Sequence, residues 1–206
     1  MRIRIMLAVL MTAVAAPALS QTPGAAPAPA PAAVEDLVTV ELDTIAGRIV
    51  IALDKGHAPL TTANFLKYVT GGKYDGESIY RAMKYGDTGG LVQGGITSDA
   101  RKLLPAVAHE STATTGLKHV RGAISMASQG PGTAQADFFI LTTDIPGLDA
   151  NGADQGFAVF GKVVEGMDVV DRILASPVSA TKGEGSMKGE MLEPAVKILK
   201  AARVDQ

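Results

Sequence analysis

Cysteine is absent from the 206 residues, which excludes disulfide staples, thiol redox chemistry and thiolate metal sites. Tryptophan is also absent and aromatics are only 4% of the chain, so the position of each phenylalanine carries information. Charge of one sign is not in excess: 19 basic residues face 21 acidic ones. No basic stripe or cluster interrupts that balance, which argues against nucleic acid or an anionic membrane as partner. There are three histidines, His57, His109 and His119. His109-Glu110 is not followed by a histidine four residues on, so the helix motif of zinc proteases is missing. A metal site would require His109, Glu110 and His119 to meet in space; the simpler reading gives each histidine only hydrogen-bond partners, and no metal is expected. Ser125, in "AISMA", lacks the G-x-S-x-G elbow of a nucleophile and reads as an ordinary strand residue. The pairs Gly89-Gly90 and Gly94-Gly95 lack the Lys-Ser/Thr and the following helix of a phosphate loop.

What is present begins with an export signal over residues 1–20. Arg2 and Arg4 supply the positive start, Ile5 to Ala16 a nearly unbroken apolar run, and Ala18-Leu19-Ser20 a small-x-small cleavage site. As an uncleaved anchor the run is short of the about 20 apolar residues a span needs, and Pro17 interrupts its end. The reading predicts cleavage near Ser20, a periplasmic or secreted location, and no membrane span after cleavage. Residues 21–35, with "TPGAAPAPAPAA" at 22–33, have little to bury and read as an extended Pro/Ala linker. Residues 36–206 suit one domain with its own hydrophobic core.

Strand-like segments dominate that domain. "LVTVELD" (37–43) and "RIVIAL" (48–53) alternate around Thr44–Gly47 and read as an opening hairpin. Further strands are expected at 78–83, 90–95, 122–127, 137–142, 157–164 and 195–201. Helices are expected from Pro59, where proline suits a first turn and Phe65, Leu66 and Val69 share a face with Thr62, and from Gly166. The stretch "SATKGEGSMKGE" (179–190) reads as a surface loop. Eight strands and two helices without βαβ alternation point to a mainly β fold, a closed eight-stranded antiparallel barrel capped by two helices.

Two of the five phenylalanines stand side by side at 138 and 139. Neighbouring strand residues leave on opposite faces, so both cannot enter one core. On this strand Asp137, Phe139 and Leu141 share one face, and Ala136, Phe138 and Ile140 the other. Leu91 and Gln93 likewise share a face, as do Arg81 and Met83. Taken singly these are rim positions of a sheet, with Arg81 a solvated charge. Taken together, one Arg, one Gln and one spare Phe on neighbouring strands can line a shallow apolar groove with amide-binding groups. A barrel with an internal ligand is the other possibility, but Phe138, Ile140, Val159 and Leu53 look too bulky for a hollow interior.

"YDGESIYRAM", "LVQGG", "TGLKHVRGAISMA", "GTAQADFFILT" and "FAVFGKVVEGMDVVDRI" occur in the order of the cyclophilin family of peptidyl-prolyl cis/trans isomerases, and from residue 37 to about 201 the chain resembles the family's exported bacterial members. The resemblance implies an eight-stranded barrel with a substrate groove on its outer wall, and isomerase activity on X-Pro amides. It implies that Arg81 is the catalytic arginine and Gln93 the glutamine that binds the substrate backbone. Leu91, Phe139 and Leu148 match walls of the proline pocket, Phe157 falls where a histidine is usual, and Ala127 and Ser128 fall on the stretch that pairs with the substrate. Phe138 then packs inside. Partners are expected to be proline-containing segments of unfolded or folding exported proteins, and no cofactor is expected because the reaction breaks no bond.

The departures predict a groove more open and less aromatic than usual. The segment from Arg81 to Gln93 is longer than the family pattern, with Tyr85 in the extra segment a candidate to fold over the gap. Gly90 stands where a phenylalanine is expected and Leu91 where a methionine is. Asp137 replaces a glutamine common there, Ser128 an asparagine, and Gly147 a tryptophan. With such a pocket, a non-catalytic chaperone that holds proline-containing segments in the same groove stays open beside the enzyme.

Overall fold

The computed structural model describes residues 36–204; the export signal and linker expected over 1–35 lie outside the described residues. Strands β1 (Leu37–Thr44) and β2 (Gly47–Asp54) form the opening hairpin. Its turn is closed by Thr44 Oγ1, which donates to the Gly47 carbonyl at 2.7 Å. The remaining strands are β3 (Ser78–Tyr85), β4 (Gly89–Gly95), β5 (Ala123–Met126), β6 (Phe138–Leu141), β7 (Ala158–Glu165) and β8 (Met191–Arg203). All pairs are antiparallel, and the sheet closes in the order β1-β2-β7-β5-β6-β4-β3-β8. Among the described residues, closure leaves no edge strand to pair with another chain.

Helix α1 (Pro59–Thr70) starts with the expected proline. Its open N-terminal amides are satisfied from a distance: Glu110 accepts from Leu60 N at 3.0 Å and Thr61 N at 2.7 Å, and from Thr61 Oγ1 at 2.6 Å. A carboxylate there also complements the positive end of the helix. Glu110 is therefore a helix cap. The helix turns Thr61, Thr62, Phe65, Tyr68 and Val69 inward, whereas Leu66 is only partly buried. Helix α3 (Met167–Leu174) buries Val169, Val170, Ile173 and Leu174. Between them the structure adds a third helix, the single turn α2 (Thr112–Thr115), where two had been expected. "TATT" is too short to show a helical period; it is set by Ser111, which accepts from Ala113 N at 3.3 Å, and ended by Gly116 at φ 74°.

The barrel interior is filled. Phe65, Tyr74, Phe138 and Phe160 stack at centroid distances of 5.2–5.6 Å, with Tyr68 beside Tyr74, among aliphatics such as Leu42, Ile51, Leu53 and Ile140. This packing leaves the internal-ligand alternative without a site. Val159, expected inside, belongs instead to a second cluster on the outer wall with Phe139, Leu91, Leu141, Ala123 and Ile145. A register shift in the β5–β7 ladder, where Ile124 faces Gly161 but Ser125 faces Val159, inserts one residue and turns Val159 outward.

The long segment between Arg81 and Gln93 extends the β3–β4 ladder rather than looping out, pairing Lys84 with Gly90 and Tyr85 with Gly89. This explains the glycine pair. A Cβ on Gly90 would overlap the Met83 carbonyl oxygen and lie 3.0 Å from Lys84 Cα, and one on Gly89 would run into Thr143. Even an alanine at 90 requires backbone movement, so Gly90→Ala is expected to destabilise the fold by about 1–3 kcal/mol in urea unfolding. An unchanged midpoint would show that the hairpin yields freely there.

Candidate functional site

A groove of about 1020 Å³ runs along the outer wall, and Arg81, Leu91, Gln93, Ala127, Ser128, Asp137, Phe139, Leu148 and Phe157 all line it. The strands bring them together by register. Arg81 on β3 faces Gln93 on β4, which faces Phe139 on β6. A bulge makes the first pairing work: Ile79 pairs with Gly94 and Arg81 with Gln93, leaving Tyr80 as the extra residue. Strict alternation would place Ile79 and Arg81 on one face. With the bulge, Ile79 and Ala82 point into the core while Arg81 and Met83 look outward. The neighbouring phenylalanines divide as expected, Phe138 inside and Phe139 in the outer cluster.

Arg81 is held rigidly. Its Nη1 donates to Gln93 Oε1 at 2.8 Å, its Nε donates to Glu190 Oε2 at 2.8 Å, and Nη2 lies 2.7 Å from the same oxygen. Gln93 Nε2 in turn donates to the Tyr80 hydroxyl at 2.8 Å. Burial raises the Tyr80 phenol well above its ordinary value, and the adjoining Asp137 carboxylate adds to the shift. Burial also raises the Asp137 carboxyl, against the hydrogen bond from Tyr80. Asp137 Oδ1 is buried with no protein partner and packs where a Cβ on Gly95 would overlap it. Asp137 and Tyr80 thus lie side by side in the groove lining.

The apolar side is built around Phe139. Phe157 meets it edge-on at 5.5 Å and adds a second ring to that wall. Met83, Ala127 and Leu148 pack against the same cluster. Tyr85 does not close the groove: it is 51% exposed at the end of β3 and is not among the lining residues. The opposite wall, 133–137, is pinned from α1 and the segment after it: Asn64 Nδ2 donates to the Gln135 carbonyl and Tyr74 OH to the Ala136 carbonyl, both at 2.7 Å.

Beneath Phe139 lies a buried polar line. The His119 ring stacks on Phe139 at 5.9 Å and 17°. Its Nδ1 donates to Asp149 Oδ1 at 2.7 Å, and its Nε2, at 3.0 Å, accepts from Ser125 Oγ. The residue types are those of a hydrolase triad. Ser125 is wholly buried, however, and its hydroxyl is engaged by the histidine, so no nucleophile reaches the groove. Burial lowers the His119 pKa, outweighing the opposing pull of Asp149. Among the described residues no cluster of His, Cys, Asp or Glu fits a metal ion. His109 instead lies 3.0 Å from the Gln155 carbonyl.

The family model for "Cyclophilin type peptidyl-prolyl cis-trans isomerase/CLD" matches residues 37–203. The chain belongs to this cyclophilin-type family. It is 41% identical over 136 residues to peptidyl-prolyl cis-trans isomerase A of Dickeya dadantii, covering 65% of this chain and 70% of that one. It is 37% identical over 150 residues to the isomerase cyp18 of Streptomyces antibioticus, covering 70% and 88%. A crystal structure of a cyclophilin type isomerase from Cryptosporidium parvum superposes with a TM-score of 0.66 at 22% identity, over 82% of this chain and 99% of that chain, a likeness of fold.

Tyr80, Met83 and residues of the segment 183–191 also line this cyclophilin-type groove. Gly183, Glu184, Ser186, Met187 and Met191 all reach it, although 179–190 had read as a plain surface loop. A loop without periodicity gives no sign of what it folds against. Tyr80 is brought to the groove by the bulge, which leaves no mark in the sequence.

The buried histidine has a consequence for stability. Its folded pKa lies below the unfolded value of about 6.5, so the unfolded chain binds the extra proton first and stability falls as pH drops below that value. Asp149, held low by His119 although burial acts the other way, adds a loss of the same sign at more acid pH; Asp137, raised, contributes oppositely, its stabilisation present below the ordinary carboxylate value and lost as pH rises through its own. The urea midpoint is expected to fall between about pH 7 and 5.5, and to fall less in His119→Gln. Equal slopes in both proteins would show that His119 is not the group responsible.

Proposed function

We propose that the chain is a peptidyl-prolyl cis/trans isomerase that accelerates rotation about X-Pro amides in exported polypeptides, with Arg81 hydrogen-bonding the prolyl nitrogen in the twisted transition state. The observation that carries this reading is a guanidinium fixed by Gln93 at the edge of the apolar groove formed by Phe139, Leu91, Met83 and Leu148. Rotation about the amide sacrifices resonance, with a barrier of about 18–20 kcal/mol and an uncatalysed time of roughly tens to hundreds of seconds. In the twisted state the prolyl nitrogen recovers a lone pair that the planar amide lacks, so a donor fixed there binds the transition state preferentially.

Arg81 suits this because it stays charged and presents forked donors. A guanidinium has five N–H groups, and the contacts to Gln93 and Glu190 engage at most three, leaving donors on the terminal nitrogens for substrate. A well-placed donor in a sheltered site is worth about 3–4 kcal/mol. The proline ring is held by Phe139, Leu91, Leu148 and Phe157 while the preceding carbonyl swings. Gln93 and the stretch Ala127–Ser128 hold the substrate backbone, with Asp137 in the lining beside them. No group needs to gain or lose a proton. In support, the Dickeya dadantii and Streptomyces antibioticus relatives carry the isomerase name, and the Cryptosporidium parvum protein was also crystallised in the presence of the dipeptide Ala-Pro.

The export context rests on the signal read at residues 1–20: the mature protein would begin near Gln21, carry the 21–35 linker as a spacer, and meet proline-containing clients in the periplasm or outside the cell. Neither Gly90 nor Gly147 adds a wall to the groove, and this favours as a second reading a chaperone that holds proline-containing segments without turning them over. Mutation separates the two. Arg81→Ala is expected to lower kcat/KM on a proline peptide more than about tenfold, with the circular dichroism and melting temperature of the wild type. Equal activity in the variant removes Arg81 from the mechanism.

A further inference from the structure

The Arg81 side chain is only 15% exposed and its strongest contact is to a carboxylate remote in the chain, Glu190 on the segment between α3 and β8. Both Nε and Nη2 approach one oxygen, Oε2, at 2.8 and 2.7 Å, which fixes the guanidinium along its side edge. Glu190 is itself placed by backbone. Its carbonyl accepts from Ala82 N at 2.9 Å, one residue beyond Arg81; its own N–H donates to the Met187 carbonyl at 3.1 Å; and the next residue, Met191, pairs with Arg81 in the β3–β8 ladder. The loop before it is folded on itself, with Gly189 N donating to the Lys182 carbonyl at 3.1 Å and Gly183 so close to Met187 that a Cβ there would overlap its carbonyl oxygen.

We propose that Glu190 is a positioning residue for the isomerisation: it clamps the Nε edge of Arg81 so that the terminal N–H groups are aimed into the groove before substrate arrives. This rests on the reading of Arg81 as the donor to the prolyl nitrogen. Gln93 alone fixes one end of the guanidinium and leaves the plane free to pivot about the Nη1 bond. The second contact removes that freedom, and two well-separated holds define the plane. A long arginine that must find its orientation in each encounter loses effective donor strength in the transition state while ground-state binding, made largely by the apolar wall, changes little. The clamp therefore acts on kcat. It also gives the segment 179–190 a part in the site, since the loop places the carboxylate where the strand Arg81 occupies has no acidic neighbour of its own.

The test compares full-length mature protein with Glu190→Ala and Glu190→Gln, since glutamine keeps an oxygen able to accept from Nε–H. Glu190→Ala is expected to lower kcat about three- to tenfold with KM within about twofold, and Glu190→Gln to restore at least about half of the wild-type kcat. The Arg81 Nε–H resonance in 15N NMR reads the clamp directly. It should be sharp and slow to exchange with solvent in wild type and Glu190→Gln, and broadened in Glu190→Ala. Wild-type kcat in Glu190→Ala, while Arg81→Ala is impaired, overturns the clamp and leaves Arg81's role standing; full activity in Arg81→Ala overturns both. An equal loss in the alanine and glutamine variants also overturns it, because charge and not orientation would then be what matters. Should Glu190→Ala not fold, the decision passes to wild type and Glu190→Gln: an Arg81 Nε–H that exchanges rapidly in wild type refutes the clamp.

Discussion

The closed barrel has its interior filled by side chains, and this constraint decides where everything else must go. Phe65, Tyr74, Phe138 and Phe160 occupy the space in which a ligand would otherwise sit. Chemistry is therefore confined to the outer wall, and the residues available for it are those that the two-residue period of each strand turns away from the core. Phe139 is outside because Phe138 is inside. Gln93 is outside because Val92 is inside. In a chain so poor in aromatics, the two phenylalanines not needed by the core, Phe139 and Phe157, meet each other in the groove.

The reaction proposed for that groove makes small demands on its residues. Acid–base catalysis requires a group with a pKa near the working pH; burial moves Tyr80 upward and His119 downward, away from that range, and raises the Asp137 carboxyl, but rotation about an amide calls on none of them for a proton. Rotation about an amide needs only a fixed donor and a grip on the ring. The polar chain Glu190–Arg81–Gln93–Tyr80 supplies fixed geometry rather than proton movement. The His119–Asp149 pair fits the same view. It supports the back of Phe139 with a polar but neutral ring, and its resemblance to a hydrolase relay ends at the buried Ser125 hydroxyl.

Much of this was legible in the order of residues, for identifiable reasons. Strands announce themselves by alternation, and the opening hairpin, α1 and α3 lie within a residue or two of where pattern and proline placed them. The site residues were legible through motifs, and the registers Arg81–Gln93 and Gln93–Phe139 unite them. What escaped was whatever depends on interrupted periodicity or on contacts remote in the chain. The bulge at Tyr80 brings a tyrosine to the site, and the one in β7 moves Val159 from core to wall. Glu110 reads as a candidate ligand beside His109 until the fold carries it to the head of α1. Gly90 reads as a lost phenylalanine, whereas the extended hairpin leaves no space there for any side chain. Glu190, in a stretch of glycines, lysines and serines, has nothing in its neighbourhood to mark it.

The central claim, that this outer groove turns over X-Pro amides and does not merely hold them, is tested most directly by NMR exchange spectroscopy on a short Ala-Pro peptide with catalytic amounts of the protein. The account predicts exchange cross-peaks linking the cis and trans signals at mixing times far shorter than the roughly tens to hundreds of seconds of the uncatalysed process. Saturable shifts of the peptide signals, with no exchange between the two isomers, would contradict it.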